Sequence, residues 1–203
     1  MSEKRNYQKE LDVITAGLVK EGRRPKLLLH ACCAPCSSYC LEYLTKYFDI
    51  TVYYHNPNIS PQSEFDYRVS ELKRLLSEMP LSSPVELVVA DYDAAEFSDA
   101  VRGLENEPER GGRCTVCYRL RLTKSAEYAA AHGFDYFTTT LSISPYKDAE
   151  RLVKIGEELA EKYGVNYLPS DFKKKNGYKR SIELSEEYGL YRQDYCGCVY
   201  SKK

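Results

Sequence analysis

Lys26-Leu-Leu-Leu-His-Ala-Cys-Cys-Ala-Pro-Cys36 is the stretch on which the fold turns. Lys26–His30 reads as a short buried strand, the cysteine group follows at once, and Ser37–Tyr47 reads as a helix. A strand that runs through a chemically loaded turn into a helix is the repeating unit of an α/β sheet. Upstream, residues 7–21 carry Tyr7, Leu11, Ile14 and Leu18 at helical spacing, and Arg23-Arg24-Pro25 ends that helix.

Downstream the same unit recurs. Ile50–Tyr54 reads as a second strand ending in His55-Asn-Pro-Asn58, and Ser60-Pro61 as a helix start with a serine cap. Phe65, Val69, Leu72, Leu76 and Met79 line one face of that helix. Val85–Ala90 is a third strand, and residues 103–113 are a polar, glycine-rich loop that delivers Cys114 and Cys117 to a helix running to about His132. Asp135–Leu141 is a fourth strand, Ser144-Pro145 another helix start, and Val165–Leu168 a fifth strand. The alternation predicts an α/β fold: a single three-layer domain with a mostly parallel sheet of about five strands, helices on both faces and an extra N-terminal helix. Residues 1–25 are expected to be a helical extension and 26–203 the catalytic domain. The segments after the strands should share one sheet edge, where open parallel sheets bind ligands.

Hydrophobic residues make up 43% of the 203, which supports a real core and excludes disorder as the default. The net charge of −1 means that a nucleic-acid partner must meet a local basic patch. Lys173-Lys-Lys-Asn-Gly-Tyr-Lys-Arg180 is the candidate, with five positive charges and no acid in eight residues. There Lys173, Lys174, Lys175, Lys179 and Arg180 would meet phosphates and Tyr178 would offer a stacking face. A solvated basic loop is the plainer reading of the same residues. No signal peptide and no run long enough to span a bilayer is visible, so a cytoplasmic protein without a membrane partner is expected.

In a reducing compartment, eight cysteines in clusters point to metal or redox chemistry rather than stapling. Cys32-Cys33-Ala-Pro-Cys36 and Cys114-Thr-Val-Cys117 sit at helix starts, where thiolates are favoured. Four thiolates from Cys32, Cys33, Cys114 and Cys117 would suit a four-iron cluster. Cys33/Cys36 with Cys114/Cys117 could provide the two separated pairs that zinc wants, a lesser alternative to the cluster. Cys33-Ala-Pro-Cys36 alone has the spacing of a thioredoxin-like dithiol enzyme without metal. Cys196-Gly-Cys198 is too close-spaced for a relaxed disulfide, and so suits a labile redox pair. Cys40 reads as core packing. On spacing alone the iron–sulfur enzyme, the dithiol oxidoreductase and a zinc-stabilised RNA-binding module all stand.

A set of ordered motifs goes further. Leu28-Leu-His-Ala-Cys-Cys-Ala-Pro-Cys36, His55-Asn-Pro-Asn-Ile59 with Pro61, Glu64 and Arg68, Arg113-Cys-x-x-Cys-Tyr-x-x-Arg121, Thr138-Thr-Thr-Leu-x-Ile-Ser-Pro-Tyr-Lys147 and Tyr195-Cys-Gly-Cys198 resemble the cobalamin-independent epoxyqueuosine reductases of the QueH type. The resemblance runs from about residue 26 onward and implies an oxidoreductase. Its reaction would convert epoxyqueuosine to queuosine at the anticodon wobble position of tRNA, the last step of queuosine synthesis. It also implies a 4Fe-4S cluster on Cys32, Cys33, Cys114 and Cys117 and a neighbouring mononuclear iron or other divalent metal that takes Cys36. Cys196 and Cys198 become the redox-active pair, reset by an external electron donor. Apart from the resemblance, His30, His55, Asp91 and Tyr146 are candidate proton donors or orienters, and a structural hydrogen-bonding residue is the plainer reading of each.

Overall fold

The computed structural model describes residues 5–202. Leu27, Leu28 and Leu29 are fully buried, and they explain the architecture. Successive strand residues face opposite sides of a sheet. Leu27 and Leu29 accordingly enter one core and Leu28 another. Burial of each leucine contributes about 1.5–3 kcal/mol relative to exposure, so a strand that is apolar on both faces is held only where helices cover both.

Five parallel strands, β1 (Lys26–His30), β2 (Asp49–Tyr54), β3 (Val85–Val89), β4 (Tyr136–Thr139) and β5 (Asn166–Tyr167), lie in the order β3-β2-β1-β4-β5. Leu28 pairs in register with Thr51 on one side and Phe137 on the other. The first core receives α1 (Tyr7–Glu21), α2 (Ala34–Leu44) and α3 (Gln62–Glu78) through Leu11, Leu41 and Leu72. The second receives α5 (Gly112–Ala131) and α6 (Ala149–Tyr163) through Leu122 and Leu152. The expected three-layer α/β fold with a parallel sheet and a helix before β1 is therefore what the chain adopts. Among the described residues no helix is long and apolar enough to cross a membrane.

Several boundaries differ from expectation. Helix α2 begins at Ala34 rather than Ser37, with Cys33 in the extended cap position and Pro35 in the first turn. Ser60-Pro61 is a cis peptide bond, and Pro61 rather than Ser60 precedes α3. Ser144-Pro145 starts no helix; Asp148 caps α6 by accepting from Arg151 N at 3.1 Å. The fourth strand stops at Thr139, and Thr140–Ile143 forms one 3₁₀ turn. Two helices were not expected: α4 (Ala94–Ala100) and α7 (Gly177–Glu187). The basic stretch 173–180 therefore ends inside α7 rather than being a free loop.

Strand β1 has β2 on one side and β4 on the other, and the connections after them run to opposite faces of the sheet. The end of β1 is thus the switch point, where loops diverge and leave a crevice. The cysteine group after β1 and the turn after β4 flank it.

Candidate functional site

The geometry after β1 gathers three thiols. Cys33 caps α2 without spending its side chain on a helix N–H, and Cys36 follows within the first turn. The sulfurs of Cys32, Cys33 and Cys36 all lie within 4.8 Å of one another. Cys32 Sγ stands 3.7 Å from Cys33 Sγ and 3.7 Å from Thr140 Oγ1, across the switch point. None of the eight cysteines is in a disulfide. Hydrogen bonds from Cys33 and then Cys36, helped by Arg121, hold Cys32 well below the usual thiol range. Donating to Cys32 pushes the Cys33 thiol up to about 12, and Cys36 is raised for the same reason. A cation bound by all three sulfurs would displace the protons they carry.

Cys114 and Cys117 lie one turn apart on α5, so their sulfurs share a helix face. Cys114 Sγ accepts from Arg110 N at 3.2 Å, and burial raises the Cys117 thiol. Together with Cys196 and Cys198 they line a pocket of about 20 Å³. A larger cavity of about 470 Å³ adjoins it, lined by Cys32, Cys33, Cys36, Tyr146, Tyr178 and Cys196 among others. Cys196, Arg121 and Lys147 face both. The structure thus puts Cys36 with Cys32 and Cys33, puts Cys114 and Cys117 beside the Cys196 pair, and makes one continuous site of the two groups. Cys40 is fully buried in the first core.

Cys196 is held low, at about 4, by its hydrogen bond from Cys198 and by Lys147, against the effect of burial. Cys198, the donor, is raised. Ser201 Oγ lies 3.1 Å from Cys196 Sγ. Arg121 is buried and has no carboxylate within salt-bridge distance among the described residues; its Nη2 donates to Asn56 Oδ1 at 2.5 Å, and Asn56 donates to Ala31 O. Burial opposes its charge, and Cys117, Cys32 and Cys196 support it. Lys147 is likewise raised against burial by Cys196, Tyr118, Cys114 and Cys117. Soft thiol donors surrounded by buried cations that offset thiolate charge form a donor set that fits an anionic metal–thiolate group.

Sequence reasoning named Arg121 and Lys147 only as motif residues and gave them no task. The signal was present: Arg121 lies four residues after Cys117, on the face of α5 that also carries Leu122 and Ser125 inward. The proposed acids fare differently. His30 bonds Thr139 Oγ1 at 2.9 Å and faces the His55 carbonyl at 3.1 Å. Burial pushes it down to about 3, so it is neutral and structural near pH 7. His55 pairs with Glu96 at 2.8 Å. Asp91 is exposed and does not line the cavity, whereas Tyr146 does. In the basic stretch Lys173 pairs with Asp171, Lys175 with Asp12 and Arg180 with Glu42. Lys174 is exposed, Lys179 is 3.9 Å from Glu183, and Tyr178 lines the cavity.

Clustered thiols at the switch point of a parallel sheet, beside a close-spaced cysteine pair, define a cysteine-based metal or redox protein. Comparison with known proteins narrows that class. The family described as epoxyqueuosine reductase QueH matches residues 27–203. The epoxyqueuosine reductase QueH of Streptococcus pyogenes serotype M1 is 47% identical over 204 residues, covering 100% of this chain and 80% of that protein. That of Staphylococcus epidermidis is 43% identical, covering 98% and 86%. That of Thermotoga maritima is 34% identical, covering 86% and 89%. The chain belongs to the QueH epoxyqueuosine reductase family, a family of oxidoreductases.

Proposed function

We propose that the protein reduces epoxyqueuosine to queuosine at the wobble position of tRNA. The observation that carries this reading is the meeting of the Cys32/Cys33/Cys36 group with Cys196 around one cavity of about 470 Å³, in a chain of this family. The reaction breaks both C–O bonds of the oxirane and forms a carbon–carbon double bond. It consumes two electrons and two protons, and the oxygen leaves as water. Cys196 and Cys198 match the electron count: a thiolate–thiol pair oxidised to a disulfide yields two electrons and one proton, solvent supplies the second proton, and an external donor returns the electrons. Lys147 keeps its charge beside Cys196 and holds that sulfur as thiolate. Arg121 offsets the charge of Cys32 and Cys117 at the junction of the two pockets.

In this reading Cys32, Cys33, Cys114 and Cys117 hold a 4Fe-4S cluster, and Cys36 serves an adjacent mononuclear iron or other divalent metal. Such a pair of groups supplies single-electron transfer and a Lewis acid for the departing oxygen. One distance favours a second reading of the ligands. Two thiolates on a single tetrahedral ion with bonds near 2.3 Å stand about 3.8 Å apart, and Cys32 and Cys33 are 3.7 Å apart. Ligands at separate corners of a cube must spread further. Metal and labile-sulfide analysis of anaerobically purified protein, paired with conversion of epoxide-bearing tRNA, decides. Iron with comparable sulfide and conversion supports the cluster. A single sulfide-free ion supports the trio as a mononuclear site, and failure to convert the tRNA overturns the function.

The anionic substrate calls for cations that are still available. Lys174 and Lys179 are the better candidates, because Lys173, Lys175 and Arg180 each hold a carboxylate within 2.6 Å, whereas Lys179 is 3.9 Å from Glu183. The K174E/K179E double variant is expected to weaken tRNA binding and to lower the salt dependence of log K by about 1 per lysine. A filter-binding salt titration checks it; unchanged affinity and slope would return the stretch to a solvated surface.

A further inference from the structure

Helix α3 carries Glu64, Arg68, Glu71 and Arg74 on one face, and all four touch the segment from Tyr188 to Gly197. Tyr191 OH donates to Glu64 at 3.4 Å, and Tyr191 N donates to Glu71 at 3.0 Å. Arg74 donates to the carbonyls of Tyr188 and Gly189 at 2.9 and 3.2 Å. Arg68 Nη1 donates to the carbonyl of Cys196 at 3.4 Å, and its guanidinium lies 5.3 Å from the Tyr195 ring centroid. The charges also pair along the helix, Arg68 with Glu64 at 2.7 Å and Arg74 with Glu71 at 3.0 Å.

Arg68 differs from its neighbours on this face. It is 1% exposed, and among the described residues its Nη2 has no hydrogen-bond partner. Burying a guanidinium costs several kcal/mol, and one carboxylate offsets only part of that. A long apolar side chain would fill the space at lower cost. What only the planar fork can do is hold Glu64, the Cys196 carbonyl and the Tyr195 ring at once. The turn it grips is constrained from the other side too. Gly197 has φ +99°, a value reserved for glycine. A Cβ there would stand 2.8 Å from Ile59 Cγ1 and 3.2 Å from Arg68 Nη1. The Gly197 carbonyl accepts from Ser60 N at 3.0 Å.

We propose that Arg68 is a positioning residue: it clamps the Cys196-Gly197-Cys198 turn, from α3, as an open dithiol with Cys196 facing the cavity. This rests on the dithiol reading above. The clamp favours the reduced turn, because closing the small ring requires the backbone to leave the hold of Arg68 and Ser60.

The test uses metal-free, reduced protein and the variants R68M and R68K. Alkylation by iodoacetamide is followed at each cysteine by peptide mass, with fully buried Cys40 as internal control. R68M is expected to raise the Cys196 rate at least about tenfold while Cys40 stays protected, and R68K to fall between. Equilibration with a glutathione/glutathione-disulfide buffer reads the other side, disulfide forming in the turn as glutathione disulfide is reduced to two glutathiones. The dithiol-to-disulfide ratio of R68M is expected to fall about tenfold, equivalent to about 30 mV. Wild-type alkylation and ratio in a folded R68M overturn the proposal. Should R68M not fold, the same result in R68K overturns it, and a rise at Cys40 equal to that at Cys196 does so by making the role merely structural. Wild-type turnover by a C196S/C198S variant would instead sink the dithiol reading and leave the hold on Cys196 to be judged by alkylation alone.

Discussion

Cys32→Ser is expected to yield a folded protein that neither retains its metal nor reduces the epoxide. Serine preserves the volume and the contact with Thr140, and Cys32 is only half-buried, so the sheet and both cores are untouched. What is lost is the thiolate that Cys33 and Cys36 both support. Even outer-shell partners of metal ligands cost about 10–100-fold when removed. Loss of this central sulfur should therefore lower turnover by at least about 10³-fold. Metal content per chain, the visible absorption of the anaerobic protein and the thermal midpoint check it together. A variant with wild-type metal content and turnover would remove the trio from the site.

Cys196→Ser separates the second cysteine group from the first. If Cys196 holds one of the two electrons' worth of thiol, its serine variant keeps the metal and the fold but stalls. Turnover should fall by about 10²–10³-fold with metal content unchanged, a loss in kcat rather than in KM, since the sulfur acts in the reaction and not in tRNA binding. The two variants thus have opposite signatures in metal analysis and the same one in the assay. Equal loss of metal in Cys196→Ser would make Cys196 a ligand and not an electron carrier. Wild-type turnover would remove the dithiol from the reaction.

Much of this arrangement is written in local sequence. The run Leu27, Leu28 and Leu29 fits a strand apolar on both sides, and five strands between helices lead to the parallel sheet. The cysteines are legible because their residue type and spacing are themselves the chemistry. Other features depend on tertiary partners. Ser60-Pro61 has the composition of a helix start, yet Ser60 N is taken by the Gly197 carbonyl from far along the chain. Helix α7 has no apolar period to read, since its buried positions include Gly177, Ser181 and Ser185. It is held close to α2 through Gly177, where a Cβ would collide with Tyr39 and the Phe172 carbonyl. Arg68, Arg121 and Lys147 look like surface charges by type. Their burial follows from thiolates and carbonyls that only the folded chain brings to them.

The segment that α3 grips has a consequence for how the protein is made. Among the described residues every strand and every α-helix precedes Tyr188 in the chain, so they leave the ribosome before the segment from Tyr188 onward. Until Arg192, Tyr195 and Cys196 arrive, the cavity lacks the wall that they supply. A chain folded only as far as Tyr188 would have Cys32, Cys33 and Cys36 open on that side. On the proposed reading, a metal bound by the trio would have its widest approach before Cys196 and Cys198 are in place.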